Sequence, residues 1–226
     1  MTSTLQVTRL GSRPETPSSQ TFVFGLKNRP YYLPGQYITL TLAGVEDPRG
    51  PQRPFTLSSS PTEGDQITIT MQQTGSPFKK ALQDIADQQG DAEGRIKLHG
   101  PMGSFTLDSE RPAIMIAGGI GITPFRSMIR YLHDKKMQVP VVLLYSNRTP
   151  TDIAFREELD AVASDNDWLR IVHTITRPGS PEQDWNGRTG RIDGELIASE
   201  AARLEDPVYY ACGPTIMVTA MIEIVR

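Results

Sequence analysis

Across the first half of the chain apolar and polar residues alternate in short runs, at residues 20–25, 36–42, 66–71 and 95–98, each broken by Gly, Pro or Ser. A period of two marks strands with one covered face, and many such strands between turn residues predict an antiparallel β-barrel. One helix interrupts it. After Ser76-Pro77 apolar residues recur at Phe78, Ala81, Leu82 and Ile85, the i, i+3, i+4, i+7 spacing of one helix face, and the pattern closes at Gly90. Residues 113–117 are apolar throughout, as in a strand covered on both faces within a parallel sheet. Helical patterns at 125–136, 150–163, 193–202 and 214–225 then alternate with strand patterns at 139–145, 169–175 and 207–211. Repeated βα units of this kind predict a parallel α/β domain with helices on both faces. The expected division is a barrel over 1–108 and an α/β domain over 109–226.

The ends of these elements carry the candidate chemistry. The strand at 113–117 runs into Gly118-Gly119-Ile120-Gly121, and a helix pattern opens at Thr123-Pro124, with Thr as cap and Pro in the first turn. Bare amides and the positive end of the helix dipole above such a turn favour an anion such as phosphate; tight packing alone explains the same glycines. The helix after Ser76 has Gly75 before it and Lys79 and Lys80 in its first turn, so it too is prepared for an anion, or it simply plugs one end of the barrel. Between them lies Arg53-Pro54-Phe55-Thr56-Leu57-Ser58-Ser59-Ser60, with Arg53, Phe55 and Leu57 on one face and Pro54, Thr56 and Ser58 on the other. A guanidinium for phosphate, a ring for stacking and a hydroxyl suit a phosphorylated heterocycle, and the same strand also serves as barrel wall.

In the last βα turn, Tyr210-Ala211-Cys212-Gly213-Pro214-Thr215 combines small residues with Pro and has no acid in the first turn. If the first and fourth strands of this domain are neighbours, residues 118–124 and 212–214 face one crevice, because ligands of open α/β sheets sit where strand order reverses. Cys212 is then either a small buried hydrophobe or a group at that crevice. The helix pattern at 150 is different: its Asp152 already satisfies the helix start, making a poor phosphate site.

Composition narrows the classes. The 226 residues hold 23 Lys+Arg against 26 Asp+Glu, a net charge of −3, which argues against nucleic-acid or membrane-surface binding through the whole surface. One cysteine excludes an internal disulfide and a cysteine-ligated iron–sulfur cluster, so any cluster belongs to a partner. His99, His133 and His173 are scattered, and no metal site is expected. With no signal-peptide pattern and no apolar run of bilayer length, a soluble, cytoplasmic protein without membrane insertion is expected.

RPFTLSSS, the GSPFKKAL helix, GPMGSF at residues 100–105, AGGIGITP and YYACGP occur in an order that resembles the ferredoxin-NADP reductase superfamily of flavoproteins along nearly the whole chain, as does the Pro34-Gly35-Gln36-Tyr37 turn. The resemblance implies a flavin-binding β-barrel followed by a Rossmann-like NAD(P)-binding domain. It implies Arg53 on the flavin phosphate, Phe55 against the isoalloxazine and Thr56 at its reactive N5 region, with Pro54, Ser58, Ile69 and Met71 completing that site. Ser76, Pro77, Phe78 and Lys79 would approach the flavin pyrophosphate. Gly118, Gly119, Gly121, Ile122, Thr123 and Pro124 would hold the pyrophosphate of NAD(P)H, with Cys212, Gly213 and Pro214 beside the nicotinamide; Thr56 and Cys212 are the expected catalytic positions.

Departures qualify the transfer. Phe55 and Thr56 stand where many relatives have Tyr and Ser, and Phe78 stands near a hydroxyl position, leaving FAD with FMN as the alternative. The family's last strand and flavin-covering segment are not found before Arg226, so the sheet is expected to lack its fifth strand. Asn147-Arg148 and Thr176-Arg177 end the second and third strands where the family places the adenosine ribose; an Arg there pairs with a 2′-phosphate or lies solvated in a loop, so NADPH is only slightly preferred over NADH. The expected function is hydride transfer from NAD(P)H to bound flavin, with electrons passed to a separate protein such as a ferredoxin or an oxygenase component. The alternatives are a free-flavin or ferric reductase, and a flavin- or nucleotide-binding regulatory module without turnover. The oligomeric state is open.

Overall fold

The computed structural model of the protein describes residues 3–88, 92, 94–178 and 185–226. Its contacts form two compact units, Met1–Leu107 with Arg126–Tyr131, and Asp108–Phe125 with Leu132–Arg226.

The first unit contains strands β1 (Ser3–Leu5), β2 (Val7–Thr16), β3 (Ser19–Leu26), β4 (Tyr37–Leu42), β5 (Gln52–Thr56) and β6 (Gln66–Gln72), helix α1 (Pro77–Asp87) and strand β7 (Ile96–Met102). They pair antiparallel in two sheets, ordered β1-β7-β4-β5 and β2-β3-β6. A bridge between Leu57 and Ile69 and the bond from Ser58 N to Thr68 O (2.8 Å) join the sheets along one seam, giving the expected barrel-like wall. Alternation decides the core: Ile38, Leu40 and Leu42 of β4 and Ile67, Ile69 and Met71 of β6 are buried while the residues between them face outward or other partners. Helix α1 inserts Phe78, Leu82 and Ile85 into that core. Its start is set by Ser76, whose hydroxyl accepts from Lys79 N, and by Pro77, whose missing N–H costs nothing there. The expected closure at Gly90 lies outside the described residues. In β2, Gly11 and Pro14 interrupt the sequence pattern, yet the strand holds because it lies at a sheet edge, where a lost ladder donor is tolerated.

The second unit contains β8 (Ala113–Gly118), the two ends of α2 (Thr123–Asp134), whose residues 126–131 belong to the first unit, β9 (Val141–Asn147), α3 (Arg156–Asp165), β10 (Leu169–Ile175), β11 (Arg188–Thr189), α4 (Gly194–Ala201), β12 (Val208–Cys212) and α5 (Thr215–Ile224). All five strands are parallel, in the order β11-β10-β9-β8-β12. Every residue of β8 is buried, as the unbroken apolar run predicts. Ile114 and Ile116 join Val142 and Leu144 under Leu196, Ile197 and Met221.

Two features differ from the sequence reading. The sheet has a fifth strand, the two-residue β11, which extends the edge beyond β10; among the described residues no strand lies on the far side of β12. Residues 150–163 are not one helix. A 3-10 turn (Pro150–Asp152) comes first, Phe155 adopts a left-handed conformation (φ 57°), and α3 begins at Arg156. Ile153, Ala154 and Phe155 are all buried, and consecutive residues cannot share one face of a helix, so the chain crosses the core as an irregular spacer.

Within the first unit Arg126 makes paired bonds to both carboxylate oxygens of Glu63 and donates to Ser58 O (2.9 Å), while Ser127 Oγ donates to Ser59 O (2.6 Å). These contacts hold the segment that follows β5. The Arg126 side chain is 8% exposed and Glu63 26%, so Arg126→Ala is expected to cost about 2–3 kcal/mol, near the lower end for breaking a buried pair. Denaturant unfolding measures it; a change within experimental error would show the pair to be dispensable.

Candidate functional site

The turn after β8 is built from glycine for steric reasons that the structure makes explicit. Gly118 ends the strand and a 3-10 turn (Gly119–Ile122) leads straight into α2. Thr123 is therefore not the cap that its position suggested: it is the first residue of α2, and its Oγ1 donates back to Ile120 O (3.3 Å). No side chain caps the 3-10 turn, and no acid lies in its first turn or in that of α2. Gly118 and residues 121–124 are buried, so what this turn offers a ligand is the half-exposed backbone of Gly119 and Ile120.

Strand β12 lies beside β8, with Cys212 opposite Ala117, so the first and last strands of this unit are neighbours and strand order reverses between them. Their turns interlock. A Cβ on Gly121 would meet Cys212 O at 2.3 Å and Gly213 N at 2.6 Å; one on Gly118 would meet Met217 Sδ at 2.6 Å and Pro214 Cδ at 2.9 Å. Gly213 (φ 154°) in turn packs on the Gly118 backbone. The structure thus brings Gly118, Gly119 and Gly121 together with Cys212, Gly213 and Pro214 at one crest. Pro214 precedes α5, whose first turn holds no acid and no side-chain cap. Cys212 is half-buried, and burial pushes its thiol above the usual range, so it is a neutral, compact group at neutral pH and not a thiolate nucleophile.

At the ends of β9 and β10, Asn147, Arg148, Thr176 and Arg177 also converge. Thr176 N donates to Asn147 O (2.9 Å) and Arg177 N to Arg148 O (2.8 Å), leaving Arg148, Thr176 and Arg177 exposed side by side. Asn147 is 4% exposed, and neither its Oδ1 nor its Nδ2 has a hydrogen-bond partner. A buried amide with both atoms unsatisfied is costly unless something binds it. Its neighbour Ser146 pairs with Gly118, which sets Asn147 next to the glycine turn.

In the first unit the anion-binding candidates cluster at the start of α1. Arg53 donates to the carbonyls of Arg49 (2.8 Å), Gly50 (2.7 Å) and Gln52 (2.7 Å), pairs with Asp47, and lies 5.0 Å over the Phe78 ring. The other Asp47 oxygen accepts from Phe78 N (3.1 Å) in the first turn of α1. Lys79 donates to Gln72 O (2.6 Å); its ammonium is pushed below the usual lysine range by burial and by the charges of Arg49 and Arg53. One guanidinium and the first turn of α1 therefore hold the Asp47 carboxylate, while Lys79 lies close enough to Arg49 and Arg53 to feel their charges. The amide of Arg49, joined by that of Phe78 and by Arg53, holds the Asp47 carboxyl below the usual range. No acid lies in the first turn of α1 itself.

The remaining candidates differ in access. Phe55 is half-buried and its ring stacks on Phe78 at 6.2 Å, while Thr56 is half-buried at the strand end and Pro54 is exposed. The side chains of Phe78, Ile69 and Met71 belong to the core, and Phe78 contributes its amide rather than its ring. Ser58 is occupied by Thr68 (2.8 Å) and Thr70 (2.9 Å). Sequence reasoning missed Asp47 and Met217. Asp47 sits in Asp-Pro-Arg-Gly, which reads as a turn, and nothing in the spacing shows that it reaches a helix 31 residues away. Among the described residues no group of three His, Cys, Asp or Glu is placed to hold a metal ion, and no described helix is long and apolar enough to cross a membrane.

Residues 115–223 match the family described as oxidoreductase NAD-binding domain. The glycine betaine monooxygenase reductase subunit of Pseudomonas aeruginosa is 31% identical over 214 residues, covering 92% of this chain and 56% of that protein. The chain belongs to the ferredoxin-NADP reductase superfamily. Solved structures of the superfamily share its fold: the Amycolatopsis cytochrome P450 reductase GcoB superposes with a TM-score of 0.79 at 21% identity, covering 99% of this chain and 65% of that one. A Neisseria gonorrhoeae ferredoxin NADP+ reductase with bound FAD and NADP gives 0.70 at 20% identity, covering 99% and 90%. The chain spans a little over half the length of the curated superfamily relative, 56%.

Gly121→Ala is expected to destabilise by about 1–3 kcal/mol through overpacking against backbone that has no rotamer to change, and to weaken NAD(P)H binding by about tenfold or more. Calorimetric titration and thermal unfolding measure both; unchanged binding contradicts the interlock's role. As the lone cysteine, Cys212 allows a direct pH test. Its alkylation by iodoacetamide follows the thiolate, so the rate should reach half its plateau only above the ordinary value of 9.0, and a midpoint below that contradicts the buried placement.

Proposed function

We propose that this chain is the flavin- and NAD(P)-binding part of an NAD(P)H-dependent oxidoreductase that delivers electrons to a separate redox protein, a ferredoxin or an oxygenase component. The reading assigns the flavin to 1–108 and the pyridine nucleotide to 109–226. The observation that carries it is the crest where the uncapped glycine turn of β8 meets Cys212 and Gly213 at the point of strand-order reversal. Backbone amides there suit a pyrophosphate, and the small residues admit a flat ring against the chain. The names of the relatives support it: one is a monooxygenase reductase subunit, and one solved neighbour holds FAD and NADP.

When bound, the flavin would supply two-electron uptake from a reduced nicotinamide and stepwise release to an acceptor. The residues of this chain bind and orient. The turn at residues 118–121 would hold the nucleotide pyrophosphate, Asn147 would use its unsatisfied amide beside it, and Arg148 and Arg177, exposed side by side, would pair with a 2′-phosphate. Cys212, half-buried with its thiol pushed above the usual range, would pack beside the nicotinamide as a neutral group. Arg53, Lys79 and the start of α1 take the flavin phosphates, Phe55 lines the ring, and Thr56 offers a hydroxyl at its reactive edge, with Ser76 fixing the helix start. No protein acid or base is required, so rate comes from positioning.

The test is anaerobic reduction of FAD-reconstituted protein, followed by the loss of flavin absorbance with NADPH and with NADH. Rapid bleaching is expected, with Arg148→Ala and Arg177→Ala raising KM for NADPH several-fold more than for NADH. A reconstituted protein that neither nucleotide bleaches would sink the proposal, and rapid reduction of free flavin without a retained one favours the diffusible-acceptor alternative.

A further inference from the structure

Among the described residues Asp47 is the acidic partner of Arg53 at the start of α1, and it comes from a loop rather than from the helix or β5. Its side chain is 3% exposed, with one oxygen on Arg53 and the Arg49 amide and the other on the Phe78 amide. This is the bonding expected of a phosphate oxygen held between a guanidinium and a helix N-terminus. The loop that carries it is anchored on both sides of Asp47: Ala43 N donates to Arg95 O (2.9 Å), Val45 packs against the core, and Arg53 holds the carbonyls of Arg49 and Gly50. Residues 43, 44, 46, 48 and 49 are exposed. An open pocket of about 450 Å³ lined by Val45, Glu46, Arg95 and Lys97 leaves free space beside the loop.

We propose that Asp47 is an internal competitor for the flavin phosphate: its carboxylate occupies the position shared by Arg53 and the start of α1, and flavin loading displaces that side chain while Arg53 keeps its bonds to the loop carbonyls. This rests on the flavin reading above. Arg49, Arg53 and Lys79 bring more positive charge than one carboxylate neutralises, which favours exchange for a pyrophosphate. Flavin affinity is thereby set below what the cations alone would give.

Apoprotein of the full chain, as wild type, Asp47→Asn and Asp47→Ala, is titrated with FAD by fluorescence quenching. Asp47→Asn keeps an oxygen for the Phe78 amide and removes the charge. It should bind FAD about tenfold more tightly than wild type, and Asp47→Ala at least as tightly. Wild type that binds FAD alongside variants that bind equally or more weakly overturns the proposal and makes Asp47 a fixed partner that positions Arg53. Absence of FAD binding in all three overturns the flavin reading and this proposal with it. Should the substitutions unfold the chain, a crystal structure of FAD-loaded wild type decides. A phosphate oxygen on Phe78 N with Asp47 withdrawn supports the proposal, and Asp47 still on Phe78 N with FAD bound overturns it.

Discussion

The second unit depends on an absence of side chains. Gly121 lets the turn after β8 rest against the backbone of Cys212 and Gly213, and Gly118 leaves the space that Met217 and Pro214 occupy. Because the nearest neighbours of Gly121 are backbone atoms of Cys212 and Gly213, they have no rotamers with which to yield, and a single methyl group would part the loops. That contact fixes the crest where strand order reverses. A half-buried thiol, an uncapped 3-10 turn and a helix start without acid lie together at that crest. The sheet beneath is apolar on both faces, so it is rigid enough to hold the turns in register.

The first unit is organised by charge rather than by close backbone approach. Arg53 is rooted in three carbonyls of its own loop, and its guanidinium lies over Phe78. Asp47 ties that guanidinium to the start of α1, so strand, loop and helix share one electrostatic centre. The aromatic pair Phe55 and Phe78 forms the floor beneath it. Arg126 and Ser127 fasten residues 58 and 59, so the end of β5 is held by hydrogen bonds to backbone carbonyls as well as by the core.

Much of this was legible in the amino-acid order. Alternation located β3, β4, β6 and β7, the unbroken run at 113–117 located β8, and the Ser76-Pro77 start and the i, i+3, i+4 stripe located α1, because each of these signals is local and follows from backbone periodicity. The glycines at 118, 119 and 121 and the small turn at 212–214 also announced themselves, since few residue types fit such turns. The break of the 150–163 segment at Phe155 and the short β11 were not legible: the first answers to burial of three successive side chains, the second to pairing with a strand already in place.

The sequence by itself determined the periods, the turns and the residue types available for binding. Only the tertiary structure decided which of them meet: that Asp47 reaches α1, that Thr123 sits inside its helix, that Asn147 is buried with an unsatisfied amide, and that Phe78 faces the core. The reason is physical. Periodicity acts between residues a few positions apart, whereas the partner of a buried polar group is chosen by side-chain direction and packing between segments far apart in the chain, and no local pattern encodes that choice.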